Sequence, residues 1–507
     1  MLLDRRLPCA ELARLAALAA LSLLAACNAG PDYHAPTVSD LKVPDAFQAQ
    51  SATPGPPEAD MVDLARWWDS FEDPVLSQLV NRAFAGNLDV KAAGARLRQA
   101  RATLLGTQGQ QLPTIGIDGS VNRSIGNKSS RIDVTTGQPL SGGGDSTVYR
   151  AGFDVAWEAD LFGGTRRSVQ AARASAEASE ASLHFTQASI ASEVGLNYVA
   201  ARLAQIRLRI ARDNLAAQDD TLEIVGWRQK AGLVGALDYE QARQLRAQTA
   251  ATIPTFENDY LTAVNRIAVL LGEAPGAVTA LIDPPASIPL APGVTQPIPA
   301  DVIQRRPDVA SAERTLAAES ARIGVQAAQL YPALRLSGAF NGTSTSIGDV
   351  ISNGIGSLVG AISAPIFEGG QIRAAVKGQR ASADAALADY QSAVLVAIEE
   401  VENAMKGREV SERREREIAI SYEASNNALT YAQLQYRSGL IDFQALLDSQ
   451  RSTLSSQDSA AAARADRATS AIQLYKALGG GWQSAPTPLP GPYEGGKQTE
   501  TSETRPR

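Results

Sequence analysis

TRRSVQAARASAEASEASLHFTQASIASEVGLNYVAARLAQIRLRIARDNLAAQDDTLEIVGWRQK, residues 165–230, is the stretch whose reading decides the fold. It has no proline and only two glycines, Gly195 and Gly226, and consists largely of Ala, Glu, Gln, Arg and Leu, all strong helix formers. One helix of about 66 residues would run roughly 100 Å, far more than a globular domain requires. Val194, Ala201, Leu208, Leu215 and Leu222 recur at every seventh residue, and Leu203, Ile210, Ala217 and Ile224 form a second such series displaced around the helix. One seam serves a two-stranded coiled coil. Two seams predict a partner on each flank, as in a wall of helices.

The pattern is rewritten about 205 residues later as Gln371 to Arg437, with Val376, Ala383, Tyr390, Ala397 and Ala404 in one series and Leu387, Val394 and Val401 in another. On the helices alone a scaffold-type coiled coil remains open. The segments before each rod decide against it. Ile115, Ile117 and Val121 alternate with polar residues, and Tyr149, Ala151, Phe153, Val155, Trp157, Ala159 and Leu161 alternate with Arg150, Gly152, Asp154, Glu158 and Asp160. Strands of about 10 to 13 residues fit a tilted bilayer crossing, and the charged face implies water on that side. A half-exposed soluble hairpin is the competing reading of this pair.

The pair recurs too. Gln329 to Asn341 echoes Gln111 to Asn122, and a second strand is expected over about Ile355 to Phe367. Each half therefore reads as short helix, two strands, long helix and return helix. The first short helix is expected from about Val75 to Gln111, with Asp73 as cap and Pro74 at its first position. The return helices are expected from about Asp238 to Leu271 and Asp442 to Leu478. Proline-rich 272–307 joins the halves and reads as non-helical, as does the loop between the first two strands.

The resulting divisions are 1–26, 27–65, 66–271, 272–307, 308–478 and 479–507. The first has arginines ahead of a short apolar run and ends in Leu24-Ala25-Ala26-Cys27, the layout of a secretory signal with a lipoprotein cleavage box. Cys27 would carry the lipid. Asn28 rather than Asp follows it, so the inner-membrane retention signal is absent. The 27–65 segment reads as an extended tether, 66–271 and 308–478 as two structural repeats, and 479–507 as a stop followed by a disordered tail.

Cys9 departs with the signal, which leaves the mature chain no internal disulfide. A net charge of −7 argues against a nucleic-acid partner. The only histidines are His34 and His184, and no phosphate loop, nucleophile elbow or metal-ligand cluster is present, so neither enzyme, cofactor nor metal is expected. Without another apolar helix, any membrane crossing must use strands. Four strands cannot close a barrel. Two chains would give eight and a filled lumen, and three would give twelve and a passage.

Cys27, Trp67-Trp68 to Asp73-Pro74, Trp157-Glu158-Ala159-Asp160-Leu161-Phe162-Gly163, Arg305-Arg306-Pro307-Asp308-Val309 and Leu446-Leu447-Asp448-Ser449-Gln450-Arg451 together resemble the TolC-like outer membrane factors, in the branch of NodT/OprM-type efflux lipoproteins. The resemblance implies an α+β membrane protein, mainly α. It would be a homotrimer with a twelve-stranded outer membrane β-barrel, four strands per chain, continued by a periplasmic α-helical barrel. It further implies a periplasmic adaptor (membrane fusion) protein and, through it, an inner membrane transporter of the resistance-nodulation-division (RND) type, with drugs or other small toxic compounds as cargo. Type I protein secretion through the same architecture is the nearer alternative.

Two sites follow from the resemblance. The hairpin turns at Gly232, Leu233 and Val234 and at Gly439, Leu440 and Ile441 would meet the adaptor. Asp448 and Arg451 match residues that line or lock the narrow periplasmic end in similar proteins. Where related lipoproteins place an apolar gasket, this chain has Gln444, a departure that speaks against a hydrophobic seal. Arg306, Pro307 and Asp308 read as structural, at a helix start.

Overall fold

The structure is a computed structural model that describes residues 29–36, 64–125, 129–132, 139–142, 145–290, 303 and 305–485. The expected signal peptide, Cys27, most of the tether, the middle of the 272–307 linker and the tail beyond 485 lie outside the described residues. The chain divides into two units. One takes the described residues within Met1–Ala35, Gln99–Glu177 and Glu313–Ala388, and the other takes those within Pro36–Arg98, Ala178–Ala312 and Asp389–Arg507.

The first unit holds a four-stranded antiparallel sheet, β1 (Thr114–Ser124), β4 (Ser146–Ala159), β5 (Ala333–Ser344) and β6 (Gly354–Ser363), in the order β1-β4-β5-β6. Its register sorts the side chains by face. Ile117 faces Phe153, Phe153 faces Phe340 and Trp157 faces Leu336, so one face is apolar across the sheet. The Phe153 and Phe340 rings stack at 5.7 Å. This apolar face lies open, with Ile117 89% and Leu358 87% exposed. The other face carries Asp118, Arg150, Asp154, Glu158 and Arg335. Between β1 and β4, where a plain loop was expected, Ser129–Ile132 (β2) pairs with Pro139–Gly142 (β3). The strand expected to reach Phe367 stops at Ser363, because Pro365 lacks the N–H a ladder needs.

The long helices are α3 (Gly164–Lys230) and α7 (Gln371–Arg437), both of 67 residues, and the return helices are α4 (Ala236–Leu270) and α8 (Phe443–Ala477), both of 35. In the helical unit, Arg266–Glu193, Arg212–Glu257 and Arg246–Asp219 ion pairs hold α4 to α3. Arg207–Asp458 and the Asn214–Gln457 hydrogen bond hold α8 to the other flank of α3. Arg467–Glu415 and Ser470–Ser411 join α8 to α7. The order is α4-α3-α8-α7. Of the two seams on α3, Val194, Ala201 and Leu208 are buried, whereas Ala217 and Ile224 of the second are exposed within this chain.

The helix expected over Val75 to Gln111 is two helices, α1 (Pro74–Gly86) and α2 (Leu88–Gly109). Asn87 breaks it. Its side-chain oxygen accepts from the N–H groups of Asp89 and Val90, capping α2, while its amide donates to Leu270 O. The bend lets Gly86 approach Leu271 O, where a Cβ would sit at 2.0 Å. The linker, expected to lack helix, holds a single helical turn, α5 (Thr279–Ile282). Among the described residues no helix is long and apolar enough to cross a membrane.

The core of the helical unit is aromatic. The 3₁₀ segment Leu64–Phe71 buries Trp67, Trp68 and Phe71, and Trp67 stacks on Tyr475 of α8 at 5.7 Å. Gly195 accounts for the glycine in the middle of α3: a Cβ there would lie 3.0 Å from Trp67 and 3.1 Å from Ile472. Gly195→Val should therefore lower stability by about 1–3 kcal/mol through overpacking. Thermal unfolding checks this, with Gly226→Ala, whose Cβ would meet Tyr239 at 3.4 Å, as the milder comparison.

Candidate functional site

Both hairpin turns in the helical unit are built the same way. Leu233 N–H donates to Arg228 O at 2.8 Å and Gly232 N–H to Gln229 O at 2.9 Å; Leu440 N–H donates to Gln435 O at 2.9 Å and Gly439 N–H to Tyr436 O at 3.1 Å. These are Schellman caps, with glycine in the left-handed region at φ +72° and +71°. Such a cap usually tucks an apolar residue after the glycine against one a turn earlier. Here the residues a turn earlier are Arg228 and Gln435, so Leu233 and Leu440 stand out at 72% and 75% exposure. Val234 and Ile441 point the other way and pack on a small core of Val225, Leu245, Phe443 and Leu447. The six tip residues thus split into four that are accessible and two that hold the turns in place.

Asp448, Arg451 and Gln444 come together on one flank of α8. Gln444 Nε2 donates to Asp448 Oδ1 at 3.0 Å, and Arg451 Nη1 lies 3.6 Å from the same oxygen. The carboxylate is therefore held from one turn before and one turn after, within its own helix, and remains exposed. At this level α8 reaches its neighbours through neutral groups: Thr453 Oγ1 donates to Ser425 O of α7, and Gln450 reaches Thr221 of α3. Arg306 is buried; it pairs with Asp308 and Glu400 and donates to Ala477 O at 2.9 Å. Burial opposes its charge, but the two carboxylates prevail and raise its pKa. It pins the start of α6 (Pro307–Ala328) to the end of α8.

Sequence reasoning missed the apolar residues around the tips. Trp227 is 60% exposed one turn before Gly232, with Leu237 exposed after it, and Tyr431 and Leu434 are exposed before the second turn. Their signal was an apolar residue breaking the heptad register close to a glycine.

The family model described as outer membrane efflux protein matches residues 79–273 and 298–480. The chain belongs to the outer membrane efflux protein family. The pyoverdine export outer membrane protein OpmQ of Pseudomonas putida is 30% identical over 471 residues, covering 92% of this chain and 96% of that protein. Nodulation protein T of Rhizobium leguminosarum bv. viciae is 32% identical over 480 residues, covering 92% and 94%. Among solved structures, the outer-membrane channel OprN superposes with a TM-score of 0.80 at 34% identity, covering 90% of this chain and all of that one. The family and branch are those implied by the motifs. Efflux at the outer membrane is the chain's role.

The split at the tips has a stability signature. Leu233→Ser and Leu440→Ser should leave the unfolding temperature within the surface range of about ±0.5 kcal/mol. Val234→Ser and Ile441→Ser should each cost about 1 kcal/mol of half-buried apolar contact. Thermal melts of the four single variants measure both.

Proposed function

We propose that three copies of this chain form the outer membrane exit duct of a tripartite RND-type efflux pump, each giving four strands to a twelve-stranded barrel continued by a periplasmic helical tube. The observation that carries the reading is the sheet itself. Its apolar face is open, and among the described residues β1 and β6 have no strand on their outer sides. Lipid does not tolerate unpaired strand edges, so β6 of one copy must meet β1 of the next. The exposed part of the second seam on α3 supports the same assembly, since a neighbouring copy would cover it. Residues 66–271 and 308–478 act as two structural repeats, supported by the equal lengths of α3 and α7 and of α4 and α8. Cys27 carries the lipid anchor.

The chain conducts and the transporter supplies the energy, so no covalent chemistry, cofactor or metal is required of it. The relative OpmQ is a pyoverdine export protein, and a small organic compound is the cargo class this supports. The exposed Gly232, Leu233, Gly439 and Leu440 form the adaptor contact, held in place by Val234 and Ile441. Three copies would bring three Asp448 carboxylates to the narrow end. Each is braced by Gln444 and Arg451, giving a polar constriction that attracts cations.

Asp448→Ala combined with Arg451→Ala should raise single-channel conductance in planar bilayers severalfold and weaken cation selectivity. Conductance and reversal potential unchanged from the parent would remove both residues from the constriction. Leu233→Ser with Leu440→Ser should weaken adaptor binding about tenfold, as loss of exposed apolar anchors does, while conductance stays at the parent value.

A further inference from the structure

The first turns of α3 and α7 in the sheet unit carry charge that no described residue pairs. Arg173, Arg373, Lys377 and Arg380 are exposed and make no side-chain hydrogen bond or ion pair among the described residues. The positions are not scattered. The two glycine caps place Gly232 against Gly439, so α3 and α7 correspond residue by residue, and on that register Arg166 matches Arg373 and Arg173 matches Arg380. The same flank is basic in both helices. Arg166 differs only in being engaged, by Asp160 at 3.3 Å.

The orientation of that flank follows from a cavity of about 870 Å³ beneath the sheet. Its walls include Glu158 and Arg335, which pair across the polar face, together with Ser168 of α3 and Ala375 of α7. At about 100° per residue, Arg166 and Arg173 lie about 140–160° around α3 from Ser168, and Arg373, Lys377 and Arg380 lie equally far from Ala375. The basic flank therefore looks away from the side that the polar face encloses and toward the side of the apolar face. On that side Trp157 is 38% exposed and donates its indole N–H to Gln111 O at 3.0 Å. A half-exposed Trp at a strand end marks the boundary between hydrocarbon and headgroups. At 1.5 Å per residue, Arg373 and Lys377 fall within about 10 Å of the start of α7, and Arg173 and Arg380 one turn further. That puts Arg373 near headgroup depth and Lys377, Arg173 and Arg380 below it, on side chains whose Cα–Cβ bonds tilt toward the helix N-terminus and whose long stems reach back toward the membrane.

We propose that Arg173, Arg373, Lys377 and Arg380 form a basic band that binds the phosphates of anionic phospholipids in the periplasmic leaflet of the outer membrane. The band rests on the membrane-inserted reading of the sheet. The arginines suit phosphate because their planar forks donate in pairs, and the lysine adds a mobile point charge. Lipid held there would fix the height of the sheet in the bilayer independently of the acyl group on Cys27.

The test uses the full-length protein in nanodiscs of phosphatidylglycerol and phosphatidylcholine, with bound lipid counted by native mass spectrometry after release. Each basic residue near an anionic surface contributes roughly fivefold to lipid partitioning. The variant R173S/R373S/K377S/R380S should therefore lose at least about tenfold in preference for phosphatidylglycerol. R209S/R416S, which removes exposed arginines far along the rods, should keep the parent preference, and both variants should conduct normally in neutral bilayers. An unchanged preference in the fourfold variant overturns the band. So does loss of the oligomer with lipid counts intact, which would make this flank a contact between copies. If the parent protein neither conducts nor oligomerises, the channel reading falls, and the band falls with it.

Discussion

The close approach of Trp67 to the α3 backbone at Gly195 fixes the middle of a helix far too long to be positioned by its ends. Any side chain larger than hydrogen at 195 would push the indole away, and with it Ile472 and the stacked Tyr475 of α8. Polar groups extend the same knot. Asp73 caps α1 through the N–H groups of Val75 and Leu76 and accepts from Tyr198 Oη at 2.7 Å. Buried Arg202 donates to that same phenol at 2.9 Å and to the carbonyls of Ile282 and Pro284. Burial, then the bond to Asp73, pushes the Tyr198 phenol well above its usual range, so it remains a donor toward Asp73 and can only accept from Arg202. The guanidinium thus has its counter-charge one hydroxyl away. An isolated buried charge costs several kcal/mol, and this relay lets Arg202 anchor the end of α5 without one.

Periodicity made the long elements legible. Seven-residue spacing predicted both rods to within a residue, because a run of strong helix formers with no proline has little else to become, and the Asp442 cap and the glycine turns set the return helices nearly as closely. What escaped were features set by contacts remote in sequence. Asn87 sits in an unbroken helical pattern, and only the end of α4, some 183 residues away, explains why it caps instead of continuing. The β2–β3 hairpin, Ser-Ser-Arg-Ile paired with Pro-Leu-Ser-Gly, is too short to show an alternation. At the candidate site, sequence likeness named the residues but not which of them stand exposed. Whether a leucine after a glycine cap turns in or out depends on the residue a turn earlier, and Arg228 and Gln435 settle it.

The uncovered surfaces constrain one another. An apolar sheet face, two strand edges left unpaired among the described residues and a partly exposed second seam would each be an aggregation hazard alone. The proposed symmetric assembly in a membrane would remove all three: lipid would cover the face, edge would join edge, and a neighbouring copy would cover the seam. Stability of that assembly would then be inseparable from chain concentration and from the bilayer, as for any obligate oligomer.

In the proposed duct the polar face of the sheet would line the interior, and its side chains would have to stay out of the way. Glycines provide the room. A Cβ at Gly116 would lie 2.8 Å from Asp154 Oδ1, and one at Gly152 would lie 1.9 Å from Asn341 Oδ1. Asp154 on β4 therefore lies over β1, and Asn341 on β5 lies over β4, each flat against the neighbouring strand. Glycine weakens a strand interior, a cost borne here at two positions where the neighbour's polar side chain needs that space. In the proposed duct, side chains that lie along the wall would leave the axis to water and cargo while their carboxylate and amide groups still face it.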